Sequence, residues 1–224
     1  MAFVKLKVAF LLRINIGMLF CLCITSCSSF KNKIALLPFY NTADFTAEWI
    51  AQGDPNYNKI HTIDTFTMYN QLGHIFTSDS LKGKIYVANF FFSICPTICP
   101  KMTNNLKLLQ DKFADKAAIN LVSFSVMPWV DSVGRLREYG QNLGINPAQW
   151  HLLTGNKERI YTLGRQSFFA EKKDGLTKDS SDFLHTETML LVDTKARIRG
   201  VYSATDLKDI KRAGEDIKTL LEEQ

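Results

Sequence analysis

The sequence has too few cysteines in its body to build a disulfide framework. Of five, Cys21 and Cys23 lie in the first 26 residues, Cys27 follows directly, and only Cys95 and Cys99 remain in the body. A fold stapled by several bridges is therefore excluded. The chain also lacks a surplus of one charge. Its formal net charge is +5, but Lys5, Lys7 and Arg13 belong to an N-terminal stretch without acids, and beyond them 24 basic residues face 22 acidic ones. With no basic stripe either, the charge gives no case for nucleic acid as a partner. Internal repeats and low-complexity blocks are absent, which leaves an ordinary globular body with 46% hydrophobic residues.

What is present begins with a leader. Lys5, Lys7 and Arg13 precede the apolar run from Ile14 to Ile24, and small or polar residues follow, the pattern of a secretory signal peptide. Its end, Ile24-Thr25-Ser26-Cys27, resembles the lipobox of bacterial lipoproteins. The resemblance implies cleavage after residue 26, lipidation of Cys27, and a domain held by a lipid anchor in a bacterial cell envelope, facing the periplasm or the extracytoplasmic side. The other reading is an uncleaved signal anchor, because Val8 to Ile24 is nearly long enough to span a bilayer. Both put the body outside the cytoplasm, where a lone close cysteine pair points to redox chemistry or a metal.

Residues 27–58 are polar and irregular and read as a tether with a lead-in segment. The body is expected over 59–224. Ile63 to Met68 alternates apolar and polar and predicts, with His74 to Thr77, a β-hairpin. Ile85 to Phe92 and Ile119 to Val126 read as strands buried on both faces. Met102, Leu106, Leu109 and Phe113 recur at helical spacing over Lys101 to Phe113. A helix over Asp131 to Leu143, capped by Asp131 or Ser132, follows, then a strand at Trp150 to Leu153 and a helix over Asn156 to Phe169. Glu171 to Asp182 reads as a solvated charged loop with little to bury, long enough to close over a site or meet a partner. A hairpin of Thr186 to Asp193 with Ile198 to Tyr202 and a helix over Asp206 to Leu221 complete the chain. This order predicts an α/β fold with a central mixed sheet flanked by helices and an N-terminal β-hairpin.

The chemistry concentrates in Cys95-Pro96-Thr97-Ile98-Cys99-Pro100. The pair lies where a buried strand hands over to a helix, the position at which open sheets place ligands. Backbone N–H groups and the helix dipole there are expected to lower both thiol pKa values. Because Pro100 cannot sit in a helix interior, the regular helix is expected to begin near it, with both thiols exposed on the preceding turn. Residues four apart in such a path can converge on one ion or close a small disulfide. Two thiolates suit copper and also zinc, and a third ligand is needed. His185 is the candidate, since in a thioredoxin-like sheet the loop before its strand faces the cysteine turn; a plain surface histidine is the other reading. His61, His74 and His151 sit in strand or strand-leading contexts and are read as structural or exposed.

At this point the chain resembles the Sco (SenC) family of thioredoxin-fold copper chaperones. The cysteine motif matches the family's CPxxCP, and His185 with Leu191-Val192-Asp193 matches its distant histidine and following strand. The resemblance covers about Ile60 to Leu221 and implies a thioredoxin-like fold. It further implies that Cys95, Cys99 and His185 bind copper, as Cu(I) or Cu(II), and that the cargo goes to the binuclear copper site of cytochrome c oxidase. Other copper chaperones or a thioredoxin-like reductant are further partners, and an oxidised form would carry a Cys95–Cys99 disulfide. One departure stands out. Where the family commonly has Asp-Pro-x-x-Asp, this chain has Met127-Pro128-Trp129-Val130-Asp131. Met127 is expected to pack, or to act as a weak thioether ligand. Asp131 is expected to cap the following helix, or to support the copper site.

Two functions follow from these readings. One is a membrane-tethered metallochaperone with no turnover chemistry of its own. The other is a thiol-disulfide oxidoreductase that uses Cys95 and Cys99 alone on the cysteines of an extracytoplasmic partner. A peroxidase is disfavoured, because no Pro-x-x-x-Thr/Ser-x-x-Cys pattern precedes either cysteine.

Overall fold

The computed structural model describes residues 37–223. The leader, its cleavage point and Cys27 lie outside them. In chain order the elements are β1 (Phe39–Tyr40), β2 (Ala47–Glu48), β3 (Thr67–Asn70), β4 (Ile75–Thr77), β5 (Ile85–Phe91), α1 (Ile98–Lys112), β6 (Ile119–Ser125), α2 (Val133–Asn142), β7 (Trp150–Thr154), α3 (Lys157–Thr162), α4 (Lys172–Gly175), β8 (Thr188–Val192), β9 (Ile198–Ser203) and α5 (Leu207–Glu222). A π-helical turn, Leu163–Ser167, continues α3.

Seven strands form one mixed sheet in the order β4-β3-β7-β6-β5-β8-β9. β5, β6 and β7 run parallel, and β3, β4, β8 and β9 join antiparallel. The unbroken apolar character of β5 and β6 is explained by burial on both faces, since every residue of either strand is buried. Alternation then sorts them. Ile85, Val87 and Phe91 pack with Met102, Leu106 and Leu109 of α1 and with Ile210, Ala213 and Ile217 of α5. Tyr86, Ala88 and Phe90 pack on the other face against Ile160 and Tyr161 of α3 and Phe168 beyond it. The expected mixed sheet with helices on both faces is what forms.

Several expected boundaries move. The first hairpin is shorter than its alternating pattern, because only Thr67–Asn70 pairs with β4 and β7. Of the two expected caps of the second helix, Ser132 serves, its Oγ accepting from the Arg135 N–H at 3.3 Å, while Asp131 turns elsewhere. The lead-in before Asn58 is itself folded over its described part. Phe39 is buried, and Arg199 donates to the Leu37 and Pro38 carbonyls at 2.7 and 3.0 Å. Arg199 also pairs with Asp193 and Glu223, and Arg197 pairs with Asp193 at 2.7 Å. Arg199 thus fastens the residues before β1 to the sheet, and the Arg197 guanidinium lies 4.7 Å over the Phe39 ring of β1.

The segment Glu171 to Asp182, expected to have little to bury, contains α4 and wraps a buried arginine. Arg165 and Glu171 form an ion pair of 2.6 Å with side chains only 2% and 6% exposed.

Candidate metal centre

The strand order fixes where the chemistry gathers. β5 and β6 end together at Phe91 and Ser125, so the loops that follow them share one edge of the sheet. β8 is antiparallel to β5 with Met189 opposite Asn89, so the beginning of β8 lies beside the end of β5. A residue just before β8 must therefore arrive next to the cysteine loop, and His185 does. Cys95, Cys99 and His185 line one cleft of about 20 Å³, together with Phe92, Ile98 and Leu184. That volume suits a single small guest such as an ion. Two larger cavities, of about 280 and 240 Å³, share no residue with this cleft and contain neither cysteine nor histidine.

α1 begins at Ile98, earlier than expected from Pro100. The physical reason is that Pro100 occupies the third position of the helix, where its missing N–H has no intrahelical partner to lose. The residue whose carbonyl it would crowd, Pro96, lies ahead of the helix. Thr97 occupies the cap position but makes no side-chain cap bond. The Cys95 sulfur takes that role, accepting from the Cys99 N–H at 3.3 Å.

This start separates the two thiols, correcting the expectation that both are exposed with lowered pKa. Cys99 lies in the first turn and is only 5% exposed, whereas Cys95 is half-buried. Burial opposes ionisation of Cys95, but the N–H groups of Cys99, Thr97 and Ile98 and the Cys99 thiol outweigh it and lower its pKa. Burial pushes Cys99 up to about 12, reinforced by the neighbouring Cys95 and by the charge of Asp131. Both cysteines are free.

Asp131 is fully buried and fixes the start of the cysteine loop. Its carboxylate accepts from Ser93 through the backbone N–H at 3.1 Å and the hydroxyl at 2.5 Å, and from the Ser125 hydroxyl at 2.5 Å. Asp131 and Ser132 are locally equal candidates for the cap of α2, and the fold assigns that role to Ser132. Met127 is half-buried, packs against the core cluster on the α3 side of the sheet, and is not among the residues lining the cleft.

His185 is exposed. Its N–H donates to Glu171 Oε1 at 3.4 Å. His185 shares the cleft with both cysteines, and among the described residues no three His, Cys, Asp or Glu side chains are gathered as a preassembled metal site. The other histidines are elsewhere. His61 bonds the Ser167 carbonyl at 2.7 Å, His151 bonds Asn120 at 3.2 Å, and His74 is exposed on the first hairpin's turn.

Comparison with known proteins gives a consistent picture. The family profile described as SCO1/SenC matches residues 55–222. The "SCO1 protein homolog" of Bacillus subtilis is 30% identical over 68% of this chain and 83% of its own. A structure described as a SCO1/SenC family lipoprotein from Bacillus anthracis superposes with a TM-score of 0.63 at 30% identity, over 72% of this chain and 95% of its own. BsSco, described as a member of the Sco family of cytochrome c oxidase assembly proteins, superposes at 0.61 with 28% identity over 72% and 94%. Yeast Sco1, solved with copper bound, shares the fold at 0.57 with 21% identity over 77% and 96%.

Proposed function

The chain belongs to the SCO1/SenC family, and from that premise we propose that it is a copper-binding assembly factor that delivers its metal to the binuclear copper site of cytochrome c oxidase. Cys95 and Cys99 bind the ion as thiolates and His185 supplies the third donor. The observation that supports this is a single cleft bordered by two sulfurs and an imidazole, of a size for an ion. Soft sulfur with one imidazole suits copper in either oxidation state. Because thiols must lose their protons to bind, and Cys99 holds its proton strongly, loading releases protons and needs the ion's own charge nearby. His185 closes on the cleft when the ion arrives.

The leader completes the reading. Residues 1–26 direct export, Cys27 carries the lipid, 27–58 connect it to the domain over 59–224, and the cleft faces an oxidase subunit across the membrane surface. No helix among the described residues is long and apolar enough to cross a membrane. A second reading, a thiol-disulfide oxidoreductase, draws on the asymmetry of the pair: a half-exposed sulfur of lowered pKa attacks, and a buried one resolves. In either case a thioredoxin-like reductant keeps the pair reduced; for the chaperone, another copper chaperone is the natural donor.

A copper titration of the protein beside its His185→Ala and Cys95→Ser forms, with dithiol reductase activity followed in parallel, separates the two. The chaperone reading expects one ion per chain, with most affinity lost in both variants. Binding indifferent to His185, together with fast disulfide exchange, sinks it.

A further inference from the structure

His185 is gripped through its backbone while its ring stays free, and the grip comes from residues outside the cysteine loop. The π-helical turn Leu163–Ser167 contains Arg165. That side chain is buried against the Tyr161 ring, with the guanidinium carbon 5.1 Å from the ring centre. Its Nε donates to Glu171 Oε2 at 2.6 Å, one terminal nitrogen donates to the Asp179 carbonyl, and the other donates to the Asp182 carbonyl at 2.8 Å. The second oxygen of Glu171 accepts from Lys178 at 3.0 Å and from the His185 N–H. On the far side of His185, the Thr186 hydroxyl donates to the Ala170 carbonyl at 2.8 Å. Leu184, fully buried, is seated where Gly164 leaves room for it.

The chain around Ala170 and Glu171 is bent to make this possible. Phe169 and Lys172 both have positive φ, 54° and 57°. Such conformations in residues other than glycine persist only where the surroundings over-determine them. A buried ion pair is weak evidence for stability, since apolar residues of equal volume often serve as well. What an apolar pair cannot do is hold two carbonyls three residues apart and a histidine N–H at once.

We propose that Arg165 and Glu171 are positioning residues for His185: a buried clamp that fixes the 171–186 segment so that the imidazole alone moves to meet the bound ion. The proposal rests on His185 being a copper ligand. Loss of the clamp leaves the ligand in the chain but frees its backbone, and copper affinity falls because ordering is then required on binding.

The test uses the full chain in detergent and Cu(II) alone as the probe. Affinity is measured by titration, and nitrogen hyperfine coupling by electron paramagnetic resonance, for Glu171→Gln, Arg165→Lys, His185→Ala and the two doubles with His185→Ala. Each clamp variant is expected to weaken binding by about tenfold and to blur the nitrogen signature, the scale seen when groups that orient ligands are lost. In the His185→Ala background the same changes are expected to have no further effect. A folded clamp variant with unchanged affinity, or an equal loss with and without His185, overturns the proposal. Unchanged affinity in His185→Ala alone instead overturns the ligand assignment beneath it, and the clamp proposal with it. Near-ultraviolet circular dichroism reports folding. If Glu171→Gln does not fold, Arg165→Lys, which keeps the charge pair, decides.

Discussion

At the scale of single residues, the two cysteines are chemically unlike although their motif treats them alike. Each is followed by a proline, yet Cys95 receives N–H groups at the helix start whereas Cys99 is carried inside by α1. At pH 8 a thiol with a pKa near 12 is ionised in roughly one molecule in ten thousand. In the reduced, metal-free protein, iodoacetamide is therefore expected to label Cys95 well before Cys99, as peptide mass spectrometry would resolve. Equal rates would mean that the Cys99 thiol is not enclosed as described. Asp131 teaches a related lesson. A carboxylate beside a serine before a helix reads as a cap, and no local pattern says that it turns inward to accept from Ser93 and Ser125.

At the scale of elements, hydrophobic periodicity located nearly every strand and helix of the body. Ile85–Phe91 and Ile119–Ser125 were legible because strands covered on both faces must be apolar throughout. Met102, Leu106 and Leu109 marked the buried stripe of α1. The start of α1 was misjudged because the rule against proline applies to helix interiors and relaxes in the first turn. The segment Glu171 to Asp182 departs from expectation for another reason. Charged composition reads as solvated, and only the fold discloses that Arg165 supplies a buried partner for Glu171 and for two carbonyls. Gly164 belongs to the same element-scale fit. A Cβ there would lie 2.7 Å from Leu184 Cδ1 and 2.9 Å from Phe90 Cε1. Gly164→Ala is thus expected to lower stability by about 1–3 kcal/mol through overpacking, measured by urea denaturation. An unchanged midpoint would show that Leu184 can give way.

At the scale of the whole molecule, distant segments depend on charge placed inside. Asp193 holds Arg197 and Arg199, and Arg199 in turn holds the carbonyls of Leu37 and Pro38, so the lead-in from Leu37 onward is fastened to the last hairpin. Buried titration also couples the fold to pH. Burial lowers His151 from 6.5 to about 4, aided by the charge of Lys84. The folded state thus favours the neutral ring, while the unfolded chain takes up a proton near 6.5. The contribution of this residue is complete above pH 6.5 and is lost as pH falls toward 4, by up to about 3 kcal/mol. Urea midpoints are expected to fall over that window in the native sequence and to fall less in His151→Phe, which keeps a ring against Phe76. Parallel declines in the two proteins would assign the effect to other groups.

By itself the sequence determined the layered α/β architecture, the leader pattern and the candidate donors Cys95, Cys99 and His185. Apolar periodicity, proline spacing and sulfur chemistry are local properties, and they survive without a fold. Only the tertiary structure decided that β8 runs antiparallel to β5 and so brings His185 to the cysteine cleft. It alone decided that one thiol is enclosed while the other is half-exposed, and that Arg165, Glu171 and Asp131 face inward. Burial and long-range pairing depend on which segments meet, and no stretch of sequence carries that information by itself.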